Sequence, residues 1–381
     1  MLQRLYAHNF RCLENFEFRP AEQHAALLLG KNGSGKSTVR QVLAIFQAIG
    51  RGESQVKELV KAADFTRGRS DVPMSFELEA LLGTDRYRYE VAFDLPTGFK
   101  ALRVLRESLT VNDEVVFQRQ LAEVSVNRRE SGRDDAIFSM DWHLVALPVV
   151  QDRATSRQLQ NLRDGLRRMV LLSPLPPLMV SETSGEAPAL HASGSNLVDW
   201  LGSLLESHPT AYSTVIEHLQ AVMPDLELFR FEKLGRDSRA LLVRFKSGQI
   251  SDEQPFDRLS DGEKCFFLGA VLLAVNQWDG PVFAFWDEPD NYLAAHEVNQ
   301  FVVALKRSFV QRGGQLITSS HNPQAALCFS QDSTWVMGRR SHLEPCQIRC
   351  LDELETRGKE PESSGPDLMQ RMLDGEIDPW L

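Results

Sequence analysis

The feature that most constrains this chain is Gly30-Lys31-Asn32-Gly33-Ser34-Gly35-Lys36-Ser37, which satisfies the pattern GxxxxGK[ST]. It stands between a continuous apolar run, Ala25 to Leu29, and a stretch with helical periodicity, Thr38 to Ile49. The unit therefore reads as buried strand, glycine loop, helix. Its glycines let successive backbone N–H groups turn inward around phosphate oxygens, and the start of the helix adds a favourable dipole. In this pattern Lys36 is expected to reach the β and γ phosphates and Ser37 to bind Mg²⁺. Gly30, Asn32, Gly33, Ser34, Gly35 and Thr38 complete the expected contacts with the nucleotide. ATP and Mg²⁺ are the expected ligands.

Three further segments bear on the same chemistry. Phe283-Ala284-Phe285-Trp286-Asp287-Glu288 is an apolar strand ending in two carboxylates, a Walker B layout. Asp287 is suited to hold Mg²⁺, and Glu288, one residue farther, to orient and deprotonate an attacking water. Leu259-Ser260-Asp261-Gly262-Glu263-Lys264 stands directly before an apolar helix, where Ser260 and Glu263 fit a capping box as well as they fit an anion site. Finally, Ser319-Ser320-His321-Asn322-Pro323 follows the apolar run Gln315 to Thr318, which puts His321 at the carboxyl end of a buried strand.

In order and spacing these four motifs resemble the heads of ABC-type ATPases. LSDGEK resembles the signature LSGGQ, with Asp261 and Glu263 departing from its commonest form, and His321 resembles the histidine switch. The opening LQRLYAHNFRCLENFEF is similar to the start of the RecF, SMC and OLD branch. LSDGEK, DEPDN and the earlier GSNLVDWL look most like small AAA-type ATPases of that branch, which often accompany bacterial anti-phage systems. The resemblance covers about residues 1 to 94 and 235 to 340. It implies an α/β fold, an ABC-type P-loop ATPase head of mixed sheets with flanking helices. It also implies ATP hydrolysis with Lys36, Glu288 and His321 as the catalytic residues. Ser260 and Gly262 of one copy would meet the γ phosphate held by Lys36 of another, giving a homodimer through ATP-sandwiched heads. Arg11, in Asn9-Phe10-Arg11, matches an arginine near the nucleotide in some relatives.

The rest of the chain sets the expected organisation. Residues 1–94 read as the amino-terminal part of the head, opening with a hairpin and ending in two strands that turn at Gly83 and Thr84. Residues 95–234 read as a mainly helical insertion, 235–350 as the second part of the head, and 351–381 as a polar tail with a short helix at Leu368 to Leu373. The most apolar stretch, Met169 to Val180, is broken by three prolines and is too short to span a membrane. No secretory signal is visible, so a cytoplasmic protein with no membrane partner is expected. Five scattered cysteines suggest reduced thiols.

A net charge of −10 means that any DNA contact needs a local patch. Arg153, Arg157, Arg163, Arg167 and Arg168 form a candidate stripe that an ordinary solvated helix face explains equally well. Two functions follow: a nucleotide-driven dimer that senses or handles DNA or controls a separate effector protein, and a regulatory scaffold whose ATP state restrains a partner nuclease or toxin. A transporter role lacks a clear Q-loop. An OLD-type nuclease needs a metal-binding domain for which the roughly 60 residues after His321 are too few.

Overall fold

A computed structural model describes residues 1–127, 135–151, 156–183, 185, 187–235 and 238–353. They fall into two compact units, one built from Met1–Gln23, Gly30–Met169 and the residues from Gln331 on, the other from His24–Leu29 and Val170–Ser330.

The first unit is organised by an eight-stranded sheet. Its order is Phe16–Phe18, Leu2–His8, Met74–Leu82, Asp85–Asp94, Arg103–Val111, Glu114–Gln120, Glu123–Val126 and Ala136–Ser139. Every neighbouring pair is antiparallel. Alternation fixes the register: Phe76, Leu78 and Ala80 pair with Val91, Tyr89 and Tyr87, and all six are buried. Helix Lys36–Gly50 lays Val39, Val42, Leu43 and Phe46 into that core, with the Phe46 ring edge-on to Tyr89 at 6.0 Å. The opening hairpin and the turn at Gly83 and Thr84 are as expected from the sequence.

Among the described residues, the stretch 95–234 is not mainly helical. Four strands, Arg103–Val111, Glu114–Gln120, Glu123–Val126 and Ala136–Ser139, continue the same antiparallel sheet. Helices in this stretch are Ser156–Arg167, Leu197–Ser207 and Ala211–Gln220. The strand Arg103–Val111 also carries a buried polar clamp. Glu107 accepts the backbone N–H groups of Ala146 and Leu147 at 2.7 and 2.8 Å and the Tyr89 hydroxyl at 2.8 Å, so the segment after the sheet is tied to its core.

The second unit holds a parallel sheet in the order Val170–Leu172, Phe283–Asp287, Gln315–Ser320 and Ala25–Leu29. Parallel strands are covered on both faces, which is why three of these read as unbroken apolar runs. Asp287 pairs in register with Ser319, and Ser320 with Leu29, so three strands end side by side. Helix Asp261–Trp278 is buried almost all round, its Phe267, Val271 and Ala274 fully so. Helices Leu197–Ser207, Ala211–Gln220 and Ala295–Arg312 belong to the same unit. A small antiparallel sheet, Glu182–Thr183, Arg239–Ser247, Leu226–Lys233 and Ile250–Pro255, completes it. Among the described residues no helix is long and apolar enough to cross a membrane. The expected helix at 368–373 and most of the loop 127–135 lie outside the described residues.

Candidate nucleotide-binding site

The glycine loop leaves the strand Ala25–Leu29 at Gly30 and enters helix Lys36–Gly50 through Gly35. Gly35 has a φ of 107°, which brings the chain into the helix without a side-chain cap. A Cβ there would stand 3.1 Å from the Cys12 sulfur and 3.2 Å from that of Cys346. At Gly30 a Cβ would stand 2.3 Å from the Met337 carbonyl oxygen, so no side chain fits. Lys36 is buried, and its ammonium donates to the carbonyls of Gly30 and Lys31 at 2.7 and 3.2 Å. The Ser34 hydroxyl is buried without a hydrogen-bond partner. Ser37, Asn32 and Gly33 are exposed, while Thr38 is half-buried and lies 3.6 Å from the Cys12 sulfur. Left-handed glycines, a buried ammonium and an orphaned hydroxyl are a chemical fit to a phosphate chain.

The ends of the parallel strands carry the acids. Asp287 is buried and accepts a hydrogen bond from the Ser319 hydroxyl. The next residue, Glu288, has a φ of 53°, a left-handed conformation uncommon outside glycine. Its N–H donates to the Ser319 carbonyl at 3.1 Å, and its carboxylate is held from two sides. Asn291 Nδ2 donates to Oε2 at 2.8 Å, and His321 Nδ1 lies 3.2 Å from Oε1. Asp287 and Glu288, picked out by one sequence argument, and His321, picked out by another, therefore stand together. A buried carboxylate and a serine hydroxyl such as that of Ser37 are the hard oxygen donors that Mg²⁺ takes.

Sequence reasoning passed over Asp290, the third acid of Asp287-Glu288-Pro289-Asp290-Asn291. It is buried and accepts the Ser320 hydroxyl at 2.8 Å, but its Oδ1 has no partner. Burial pushes its carboxyl above the ordinary carboxylate range. The signal was present in the run of acids, but nothing in it tells a buried acid from a solvated one.

Ser260 forms the capping box in full. Its hydroxyl oxygen accepts the Glu263 N–H at 3.3 Å, and its own N–H donates to Glu263 Oε2 at 2.7 Å. It is exposed at the start of an 18-residue helix, so capping and anion-binding readings stay compatible. Gly262 lies close to the chain after the acids, since a Cβ there would stand 3.0 Å from the Tyr292 carbonyl oxygen. Arg11 pairs with Asp64 at 2.9 Å, about half exposed, next to the Cys12 that touches the glycine loop. The arginine stripe is thinner than the sequence suggests. Arg163 turns inward to the carbonyls of Leu147 and Val150, at 2.7 and 2.6 Å, Arg167 pairs with Asp164 at 2.9 Å, and Arg153 lies outside the described residues.

One family profile spans these elements. The family described as "AAA domain, putative AbiEii toxin, Type IV TA system" matches residues 25–326, from the strand before the glycine loop to the segment after His321. The chain belongs to this AAA-domain family. Among solved structures, a crystal structure of the SmcHead bound to the C-winged helix domain of ScpA is similar to this AAA-domain chain. The TM-score is 0.56 and the identity 14%, covering 92% of this chain and 99% of that one. An SMC head domain from Thermotoga maritima has a TM-score of 0.48 at 14% identity, covering 92% and 98%. A Pyrococcus furiosus Smc head with an extended coiled coil, bound to the C-terminal domain of ScpA, has 0.49 at 13%, covering 93% and 98%. No curated protein matches the chain. The first likeness shows the fold: the AAA-domain chain has the α/β architecture of an SMC-type, ABC-like P-loop head, as the motifs led one to expect.

Proposed function

We propose that the protein hydrolyses ATP and that bound ATP joins two copies head to head. The observation that carries this reading is the clamp on Glu288. A carboxylate fixed between Asn291 and His321, one residue past a buried aspartate at a strand end, suits a general base that must face one water. Lys36, with the amides of Gly33 to Thr38, binds the triphosphate, and Arg11 approaches it from the neighbouring segment. Ser37 and Asp287 hold Mg²⁺, which when bound neutralises phosphate charge. Glu288 takes the proton of the attacking water, and His321 fixes the orientation of that carboxylate. Ser260 and Gly262 offer the helix start of one copy to the γ phosphate held in the other.

What the dimer controls is a separate effector protein or DNA. The family's toxin–antitoxin description favours the effector, and so does the inward turn of Arg163, which removes one positive charge from the DNA stripe. Turnover assays test the chemistry. Lys36→Ala should lose ATP binding or turnover, and Glu288→Gln should keep binding while turnover falls by about 100-fold or more. Wild-type hydrolysis by a folded Lys36→Ala protein would show the assignment to be wrong. DNA that accelerates wild-type turnover would favour the DNA reading over the effector.

A further inference from the structure

Arg339 follows directly on the strand Thr334–Gly338, whose end is pressed against the glycine loop. The close approach of Gly30 to the Met337 carbonyl leaves no room for a side chain between the two backbones. Two residues on, a guanidinium nitrogen of Arg339 lies 3.5 Å from the position a Cβ would take on Gly33, in the middle of the loop. The guanidinium is also near Cys346, whose thiol it pulls down against the upward push of burial. The Cys346 sulfur in turn lies 3.2 Å from where a Cβ on Gly35 would stand. The Arg339 guanidinium thus stands beside the middle of the loop, at Gly33.

Arg339 has no counter-ion among the described residues. Arg4, Arg67, Arg69, Arg88 and Arg103 in the same unit are each paired with a carboxylate. Among the described residues Arg339 makes no hydrogen bond and no ion pair, although Asp and Glu outnumber Lys and Arg by 52 to 42. It is half-buried, close to a loop that already holds the buried ammonium of Lys36. Partly desolvated positive charges without anions are costly, and a polyphosphate is the anion such a loop selects. The planar fork of a guanidinium matches two phosphate oxygens at once.

We infer that Arg339 is a further nucleotide-binding residue, contacting phosphate oxygens of the triphosphate held by Gly30–Ser37. The inference rests on the nucleotide reading above and adds a residue from outside all four motifs. Isothermal titration of the full chain with ATP and Mg²⁺ tests it, with competition by inorganic tripolyphosphate. Arg339→Ala should weaken ATP about tenfold to hundredfold, the range for a lost charge-assisted contact, and Arg339→Lys should recover part of the loss. The exposed neighbour Arg340→Ala should stay within about twofold of wild type, because its charge does not border the loop. The same fold-loss should appear with tripolyphosphate, which has no base to stack on. Should Arg339→Ala not fold, Arg339→Gln serves in its place. Arg339→Ala or Arg339→Gln binding ATP as tightly as wild type would overturn the inference, and so would a loss seen with ATP but not with tripolyphosphate. A wild type that binds no ATP is a different result: it removes the nucleotide reading itself.

Discussion

At the scale of single residues, the acids after the strand Phe283–Asp287 show how one short run can hold three different carboxylates. Asp287 is buried and hydroxyl-bonded, Glu288 is clamped in a left-handed turn, and Asp290 is buried with one bare oxygen. The conformation of Glu288 stores of order 1 kcal/mol of strain, which the hydrogen bonds to Ser319, Asn291 and His321 offset. Asp290 yields a pH prediction. Its folded carboxyl holds a proton to higher pH than the unfolded one, so it costs nothing below the ordinary carboxylate range. The cost grows as pH rises through the raised folded value. Asp290→Asn keeps an acceptor for the Ser320 hydroxyl and cannot ionise. Its melting temperature should therefore gain on wild type as pH climbs through that window and then level off. A difference that stays flat across the window would show that Asp290 does not titrate differently on folding.

Among elements, the helix Asp261–Trp278 separates two roles that the sequence left merged. As a cap, Ser260 contributes stability, and Ser260→Ala should cost about 1 kcal/mol by chemical denaturation. An unchanged denaturation midpoint would mean that the hydrogen bonds to Glu263 contribute nothing. The head strands and the helix after the glycine loop were legible because burial on two faces writes an apolar run and burial on one writes a periodic stripe. The strands Arg103–Val111 and Glu114–Gln120 were missed although they alternate. Their hairpin turns on Asn112 and Asp113, with φ of 49° and 68°, a two-residue turn that asparagine and aspartate tolerate and glycine announces far more clearly. Glu107 was illegible for another reason. A glutamate in the middle of a strand reads as solvent-facing until the backbone of Ala146 and Leu147, distant in sequence, arrives to be bonded. The same holds for Arg163, whose partners are carbonyls, groups that every residue has and no sequence displays.

For the molecule as a whole, the question is whether nucleotide changes how many copies stand together. Glu288→Gln should accumulate as a dimer with ATP, because the amide keeps the shape of the base and removes its ability to accept a proton. Adding Ser260→Arg to the same chain should abolish the dimer and leave ATP binding intact, since a bulky side chain at the helix start blocks the contact in the other copy. Light scattering with and without ATP separates these outcomes. One mass for Glu288→Gln in both conditions would sink the sandwich, as would an ATP-dependent dimer that survives Ser260→Arg. A net charge of −10 works against self-association at low salt, so the ATP-bound dimer should strengthen as ionic strength rises toward the physiological range.

The two sulfurs that bracket Gly35 bear on how the protein ages. Cys12 and Cys346 are free thiols whose backbones share a 2.8 Å hydrogen bond, and their sulfurs lie 3.1 and 3.2 Å from where a Cβ on Gly35 would stand. Oxygen, peroxide or an alkylating reagent that enlarges the half-exposed Cys12 adds bulk next to the loop's entry into its helix. Samples stored in air should lose ATP binding in step with the mass gained at Cys12, regain it with dithiothreitol where the adduct is reducible, and be protected by bound nucleotide. A Cys12→Ser preparation should keep its activity on the same shelf, and equal decay of the two would free the loop from any dependence on its thiols.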